Sequence, residues 1–181
     1  MASRGNTQTE TAKPEPGFVP VIFGLSKVGL TFILYAPIPV IGIFPYLITR
    51  WVAQPPFFGI EALRYIGLAL LPIGLTVHVG GLLQLARGGA NPIPPVYSIV
   101  KDGLFAWTRN PMYIGALTTV LGEALFFGSR GLLYYIVAVL AVAHTFEVTY
   151  DEPELRKKFG KEYEDYCASV NRWLPRPPRR R

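Results

Sequence analysis

The sequence predicts an all-α, polytopic membrane protein with about four transmembrane helices and a C-terminal cytoplasmic amphipathic helix. Three observations lead there. Only 17% of the 181 residues are charged, the mean hydropathy is +0.29, and the apolar residues come in long blocks. Those blocks approach the roughly 20 apolar residues needed to cross a bilayer. Low charge and 13% aromatics exclude disorder for most of the chain. Cys167 is the only cysteine, which excludes a disulfide scaffold. The length fits one domain.

Residues 1–17 read as a flexible polar tail carrying Pro14 and Pro16. A secretory signal is not expected, because the apolar run that follows is too long and lacks a small-residue cleavage site. Residues 18–176 form the single membrane domain, and 177–181 a basic tail. The first apolar block, Phe18–Ile48, is interrupted by Lys27, Pro37, Pro39 and Pro45. One straight helix over it would reach roughly 45 Å, more than a hydrocarbon core. A span starting near Lys27 and kinked at the prolines fits better, with the lysine amine snorkelling to the headgroups. Two short helices, giving five spans, are the alternative. Spans two to four are about Ala62–Leu85, Met112–Phe127 and Leu132–Thr149, the last two joined in an antiparallel hairpin by Gly128-Ser129-Arg130-Gly131. The Asp151–Val170 segment then places Leu155, Phe159, Tyr166 and Val170 on one helical face, with Asp151 as cap and Pro153 in the first turn. Arg172-Trp173-Leu174-Pro175-Arg176 has the make-up of an interfacial anchor. No lipidation motif, N-glycosylation triplet or internal repeat occurs.

Charge sets the orientation. With four spans, one side holds Arg4, Lys13, Arg87, Lys101, Arg109 and every Lys/Arg after Tyr150, while the other holds Arg50, Arg64 and Arg130. By the positive-inside rule both termini are cytoplasmic. The net charge of +6 therefore reflects topology and anionic headgroups. No basic stripe interleaves with exposed aromatics, so no nucleic-acid partner is expected.

Several chemistries lack their residues. There is no phosphate-binding loop, no dinucleotide-binding glycine motif and no HExxH. His78 and His144, the only histidines, lie in different spans, so no protein metal site is expected. Three features remain. The first is Gly103-Leu104-Phe105 followed by Arg109-Asn110-Pro111-Met112-Tyr113-Ile114-Gly115 at the cytoplasmic mouth of span three. Pro111 turns the chain into the helix, so an arginine, an asparagine and a helix N-terminus converge where an anionic group is favoured. On spacing alone, a membrane-entry turn with Arg109 paired to a phospholipid phosphate fits better. The second is a run of acids: Glu123 in span three, then Glu147, Asp151 and Glu152. His144, Glu147 and Asp151 stand at i, i+3 and i+7, one helical face. Acids at membrane depth cost on the order of 2.5–3.5 kcal/mol, which points to function. The bland reading pairs Glu123 with an arginine and leaves Asp151 and Glu152 in water. The third, Pro92, Pro94 and Pro95 between spans two and three, reads as a stiff lid or a plain linker.

Taken in order, these pieces resemble the membrane methyltransferases typified by isoprenylcysteine carboxyl methyltransferase and the phospholipid N-methyltransferases. The resemblance rests on Gly103-Leu104-Phe105, the Arg109–Gly115 run, Asp151-Glu152-Pro153, Leu155, Phe159-Gly160, Tyr163, Tyr166 and Arg172-Trp173-Leu174-Pro175, covering about residues 85–176. It implies an S-adenosylmethionine-dependent enzyme whose cofactor pocket is lined by Arg109, Asn110, Pro111, Tyr113 and Gly115 on one side. Asp151 and Glu152 line the other, and Glu147 joins them. Asn110 stands where the carboxyl methyltransferases have histidine, and Asp151 replaces the first glutamate of the acidic pair. Acids suit the sulfonium, ammonium or ribose hydroxyls of the cofactor, and Arg109 suits its carboxylate. Methyl transfer needs mainly proximity and alignment. Glu123 or His144 would serve as base for an acceptor that arrives protonated. The expected partners are membrane lipids and a lipophilic small-molecule or lipidated acceptor entering from the bilayer. The expected place is a bacterial inner membrane. Competing classes are a small four-span transporter subunit using Glu123, a membrane reductase of related fold, and a non-catalytic scaffold.

Overall fold

The structure, a computed structural model, describes residues 38–87 and 99–177. The expected N-terminal tail, most of the first apolar block with Lys27, the Pro92–Pro95 loop and the end of the basic tail lie outside the described residues. Regular structure within them is entirely helical. Helix α1 spans Pro39–Thr49, with its first turn, Pro39–Ile43, wound as π-helix. It is followed by α2 (Ala62–Arg87), α3 (Pro111–Phe127) and α4 (Arg130–Phe146). A π-helical turn, Glu147–Asp151, carries α4 without a break into α5 (Glu152–Phe159), and α6 covers Lys161–Ser169. Two stretches are long and apolar enough to cross a membrane, Ala62–Leu85 and Arg130–Phe159, while α1 and α3 are shorter apolar helices. The outer faces are apolar as well: Leu68 and Ile73 on α2, and Val137 and Val142 on α4, are all more than half exposed. Such faces suit a lipid surrounding.

Helices α2 and α3 meet backbone to backbone along glycines. Gly67, Gly74 and Gly81 recur every seven residues on α2, facing Gly115 and Gly122 on α3. A Cβ on Gly67 would stand 2.6 Å from the Gly122 carbonyl oxygen, and one on Gly115 would stand 2.7 Å from that of Gly74. Small residues allow this approach, and a seven-residue period keeps them on one seam. His78, buried in the seam, donates from Nδ1 to the Met112 carbonyl at 2.8 Å and so ties α2 to the start of α3.

The hairpin forms as the sequence predicts. Gly128 closes α3 in the left-handed region (φ +69°), and Ser129 caps α4 by accepting from the Leu132 N–H at 3.4 Å. Val120, Ala124 and Leu132 pack against it, with Ile41 of α1 and Ile136 of α4 around them.

The C-terminal segment differs from expectation in two ways. It is not one helix: Gly160, at φ +52° and ψ −126°, separates α5 from α6. Leu155, Phe159, Tyr166 and Val170 still meet in one cluster with Tyr163 and Ile99, because the bend preserves their common side. Asp151 is also not a cap, since it is helical (φ −68°, ψ −49°) and closes the π turn. Gly160→Ala is expected to cost about 1–3 kcal/mol from backbone strain. Nothing lies within 4 Å of the added Cβ, so a thermal melt in detergent reads that strain alone.

Candidate functional site

The motif residues before α3 are fastened from two directions. Gly103–Ala106 forms a 3-10 turn whose Leu104 N–H donates to Gln84 Oε1 on α2 at 2.9 Å. From the other side, Tyr166 of α6 donates its hydroxyl to the Phe105 carbonyl at 2.8 Å. Residues 171–176 then run as a strap along 107–109. The Arg109 N–H donates to Asn171 O at 2.9 Å, the Arg176 N–H to Trp107 O at 2.8 Å, and Thr108 Oγ1 to Arg172 O at 3.0 Å. The position of Arg109 is thereby fixed through its backbone before its side chain makes any contact.

Glu152 is the centre of charge. It is buried, and its Oε1 accepts from Arg109 Nη1 at 3.0 Å and from Arg172 Nε at 2.6 Å. Arg156, one turn along α5, approaches Oε2 at 3.8 Å. Arg172 is pushed up by the hydrogen bond to Glu152. Arg109 Nη1 also lies 2.9 Å from Cys167 Sγ, while its Nε is buried with no hydrogen-bond partner.

The second pair links α3 to the π turn. Asn110 and Glu147 are both buried. With its NH2 turned toward the acceptors, the Asn110 amide donates to Glu147 Oε1 at 2.9 Å and to the Arg109 carbonyl at 3.2 Å. In an unbroken α-helix, residues five apart stand about 140° apart around the axis. The wider π turn closes that gap, so Glu147 and Glu152 both face inward. Asp151 is half-buried beside Glu147, and neither is in an ion pair among the described residues.

The structure thus brings together Arg109, Asn110, Glu147, Asp151 and Glu152, with Pro111 buried at the start of α3 and Tyr113 close to Glu147 and Asp151. It corrects the shared face of His144, Glu147 and Asp151: the inward line is Ala143, Glu147 and Glu152, and His144 is exposed on the flank. There its Nδ1 accepts from Trp173 Nε1 at 3.1 Å. Gly115 belongs to the α2–α3 seam. Glu123 is not brought to the cluster. It lies 13 residues beyond Asn110 on α3, about 20 Å along the axis, with Oε2 buried and unpartnered. Sequence reasoning missed Arg172, whose neighbouring tryptophan suggested an anchor, and missed that Glu152 is consumed by arginines.

The family profile described as phospholipid methyltransferase matches residues 63–162, more than half of the chain. The chain belongs to that family. A rice (Oryza sativa subsp. indica) relative, named a probable protein-S-isoprenylcysteine O-methyltransferase, is 26% identical over 115 residues, 61% of this chain and 60% of its own length. The fission-yeast (Schizosaccharomyces pombe) protein-S-isoprenylcysteine O-methyltransferase is 30% identical over 80 residues, 44% of this chain and 34% of its own. This phospholipid methyltransferase family member therefore spans about 60% of the rice relative's length. The solved structure of the eukaryotic intramembrane Ras methyltransferase, isoprenylcysteine carboxyl methyltransferase, matches with a TM-score of 0.56 at 17% identity, over 85% of this chain and 62% of that one. At that identity the likeness is one of fold. The family match takes in α2 to α5, the hairpin, the π turn and every charged group of the cluster except Arg172.

Proposed function

We propose that this chain is an S-adenosylmethionine-dependent methyltransferase that modifies a lipophilic acceptor at the cytoplasmic face of a membrane. In this reading both termini are cytoplasmic and the membrane is a bacterial inner membrane. One observation carries it: Arg109, whose Nε is buried and unpartnered, sends its charge onto Glu147, and Glu147 and its neighbour Asp151 have no ion-pair partner among the described residues. A molecule with one carboxylate and two cationic centres complements that set, and S-adenosylmethionine is such a molecule. When bound, it supplies a methyl group on a sulfonium, already activated for in-line displacement.

The chain's own residues then bind and align. Arg109 would hold the carboxylate through Nε, while Glu152, itself fixed by Arg172, accepts from Nη1 and keeps the guanidinium in place. Asn110 fixes the rotamer of Glu147, and Glu147 and Asp151 face the cationic centres. The Tyr113 ring, packed edge-on at 6.0 Å against Trp173, walls the site. Pro111 sets the angle at which α3 leaves it, and Gly115 acts at one remove by letting α3 close on α2. Proton removal is the weakest provision. A neutral His144 that accepts at Nδ1 carries its proton on Nε2, so it becomes a base only when the Trp173 bond opens. Glu123 is about 20 Å away along α3. The arrangement suits an acceptor that arrives deprotonated, such as a carboxylate on a lipidated molecule.

Calorimetric titration of S-adenosylmethionine and S-adenosylhomocysteine into detergent-purified protein tests this. Micromolar binding is expected, weakened at least tenfold in Arg109→Ala and in Asp151→Asn. A folded, monodisperse wild type that binds neither compound would sink the reading in favour of a reductase or a transporter.

A further inference from the structure

Three helices show the same two residues at the end of the molecule opposite the charge cluster. Helix α1 ends there at Thr49, α2 begins at Ala62, and α4 begins at Arg130. About one turn inside each end stands an exposed tyrosine: Tyr46, Tyr65 and Tyr134. At the ends themselves stand Arg50, Arg64 and Arg130. An apolar ring with a polar tip suits the layer where hydrocarbon meets headgroup, so the three tyrosines mark that layer. Arg64 is bridged to Glu61 at 3.1 Å, whereas Arg50 and Arg130 are in no ion pair among the described residues.

The loop between α1 and α2 is fastened at this level, and it is strained. Its Gln54 N–H donates to the Phe127 carbonyl at 2.8 Å, and Arg64 Nη2 donates to the Gln54 carbonyl at 2.7 Å. A Cβ on Gly128 would run into the Pro55 carbonyl, so loop and hairpin meet backbone to backbone. Among the described residues the non-glycines with left-handed backbone are Arg50 (φ +50°), Trp51 (φ +55°) and Phe58 (φ +55°), all in this loop. Bulky side chains enter that region only at a cost. Its result here is display: Trp51 is 64% exposed and Phe58 93%. A fastened backbone, strained so as to hold aromatics outward, has their partner outside the chain.

That partner must be apolar and anionic at once. The rings need an apolar surface, and Arg50 and Arg130 need negative charge at the same level. A second copy docked through this face would set those arginines against their own counterparts. A phospholipid interface offers both properties. The exposed apolar faces of α2 and α4 run up to the loop, so it continues a surface already suited to lipid.

We propose that residues 50–61 form a lipid-anchoring wedge: Trp51 and Phe58 seat in the phospholipid interface of the leaflet opposite the charge cluster, with Arg50 and Arg130 on its phosphates. This surface is independent of the methyltransferase reading.

The full chain is reconstituted in phosphatidylcholine vesicles whose acyl chains are brominated either close to the headgroup or close to the chain end. Bromine quenches the indoles it touches. The difference between wild type and Trp51→Phe isolates the signal of Trp51, and that between Phe58→Trp and wild type isolates position 58. Both substitutions fall on exposed side chains, so neither removes a buried contact. Both reporters are expected to be quenched at least twofold more by shallow than by deep bromine. They should also be at least twofold less accessible to aqueous acrylamide than free tryptophan. Full acrylamide access without bromine quenching would place the loop in water and overturn the proposal. Protection from both quenchers would overturn it as well, by putting a second copy or another protein on this face. So would stronger quenching by the deep bromine, which would make the loop part of a span.

Discussion

Glu152→Ala is expected to destabilise the protein by about 3–5 kcal/mol, because it leaves the half-buried Arg109 guanidinium and Arg172 without their shared acceptor. Thermal midpoints in detergent should fall by roughly ten degrees. Arg172→Ala should cost less, since Arg109 and Arg156 still compensate Glu152. A Glu152→Ala midpoint within a degree or two of wild type would show that the cluster is solvated and energetically idle.

Gly115→Val is the second large effect. Its branched side chain would meet His78 and the Gly74 carbonyl oxygen, and backbone cannot rotate out of the way. The helices must part, at about 1–3 kcal/mol or more. The site should suffer too. Met112 and Pro111 pack on Gly81 farther along the same seam, so separation displaces the segment that carries Arg109. Weaker S-adenosylhomocysteine binding should accompany the lower midpoint. Gly42→Ala, with nothing within 4 Å of the new Cβ, is the matched control and should leave both unchanged. If Gly115→Val and Gly42→Ala behaved alike, the seam would carry no packing energy.

What could be read from the chain follows from how local each signal is. The hairpin at Gly128-Ser129 and the start of α3 at Pro111 depend on one or two residues with restricted backbones, and both form where the sequence places them. The convergence of Arg109, Asn110 and Glu152 was legible through the ordered motif pieces, and Glu147 only through the run of acids. The roles within it were not. A helical count at 3.6 residues per turn puts Asp151 on the face of Glu147, and only the π turn substitutes Glu152 there. Gly160 offered a visible break, but the apolar spacing on either side of it still matched one helix. Arg172 looks like any cation beside an interfacial tryptophan, because its partner lies 20 residues away in sequence. The glycines every seven residues were likewise in plain view, but which helix they face is a tertiary fact.

The π turn also makes helix length and helix phase independent quantities. Removing one residue between Glu147 and Glu152 would shorten the α4–α5 run by about 1.5 Å, trivial against a hydrocarbon core of about 30 Å. It would set the two carboxylates four residues apart, a spacing that an unbroken α-helix keeps on one face, so the π turn unwinds to α-helix and Glu152 stays on Arg109. Adding one residue sets them six apart, about 120° around an α-helix, and swings Glu152 away from Arg109. Drift in this lineage should accordingly be lenient toward a single-residue deletion in the π turn and intolerant of a further insertion there. A descendant carrying such an insertion would still fit its membrane while having lost the charge centre of its site.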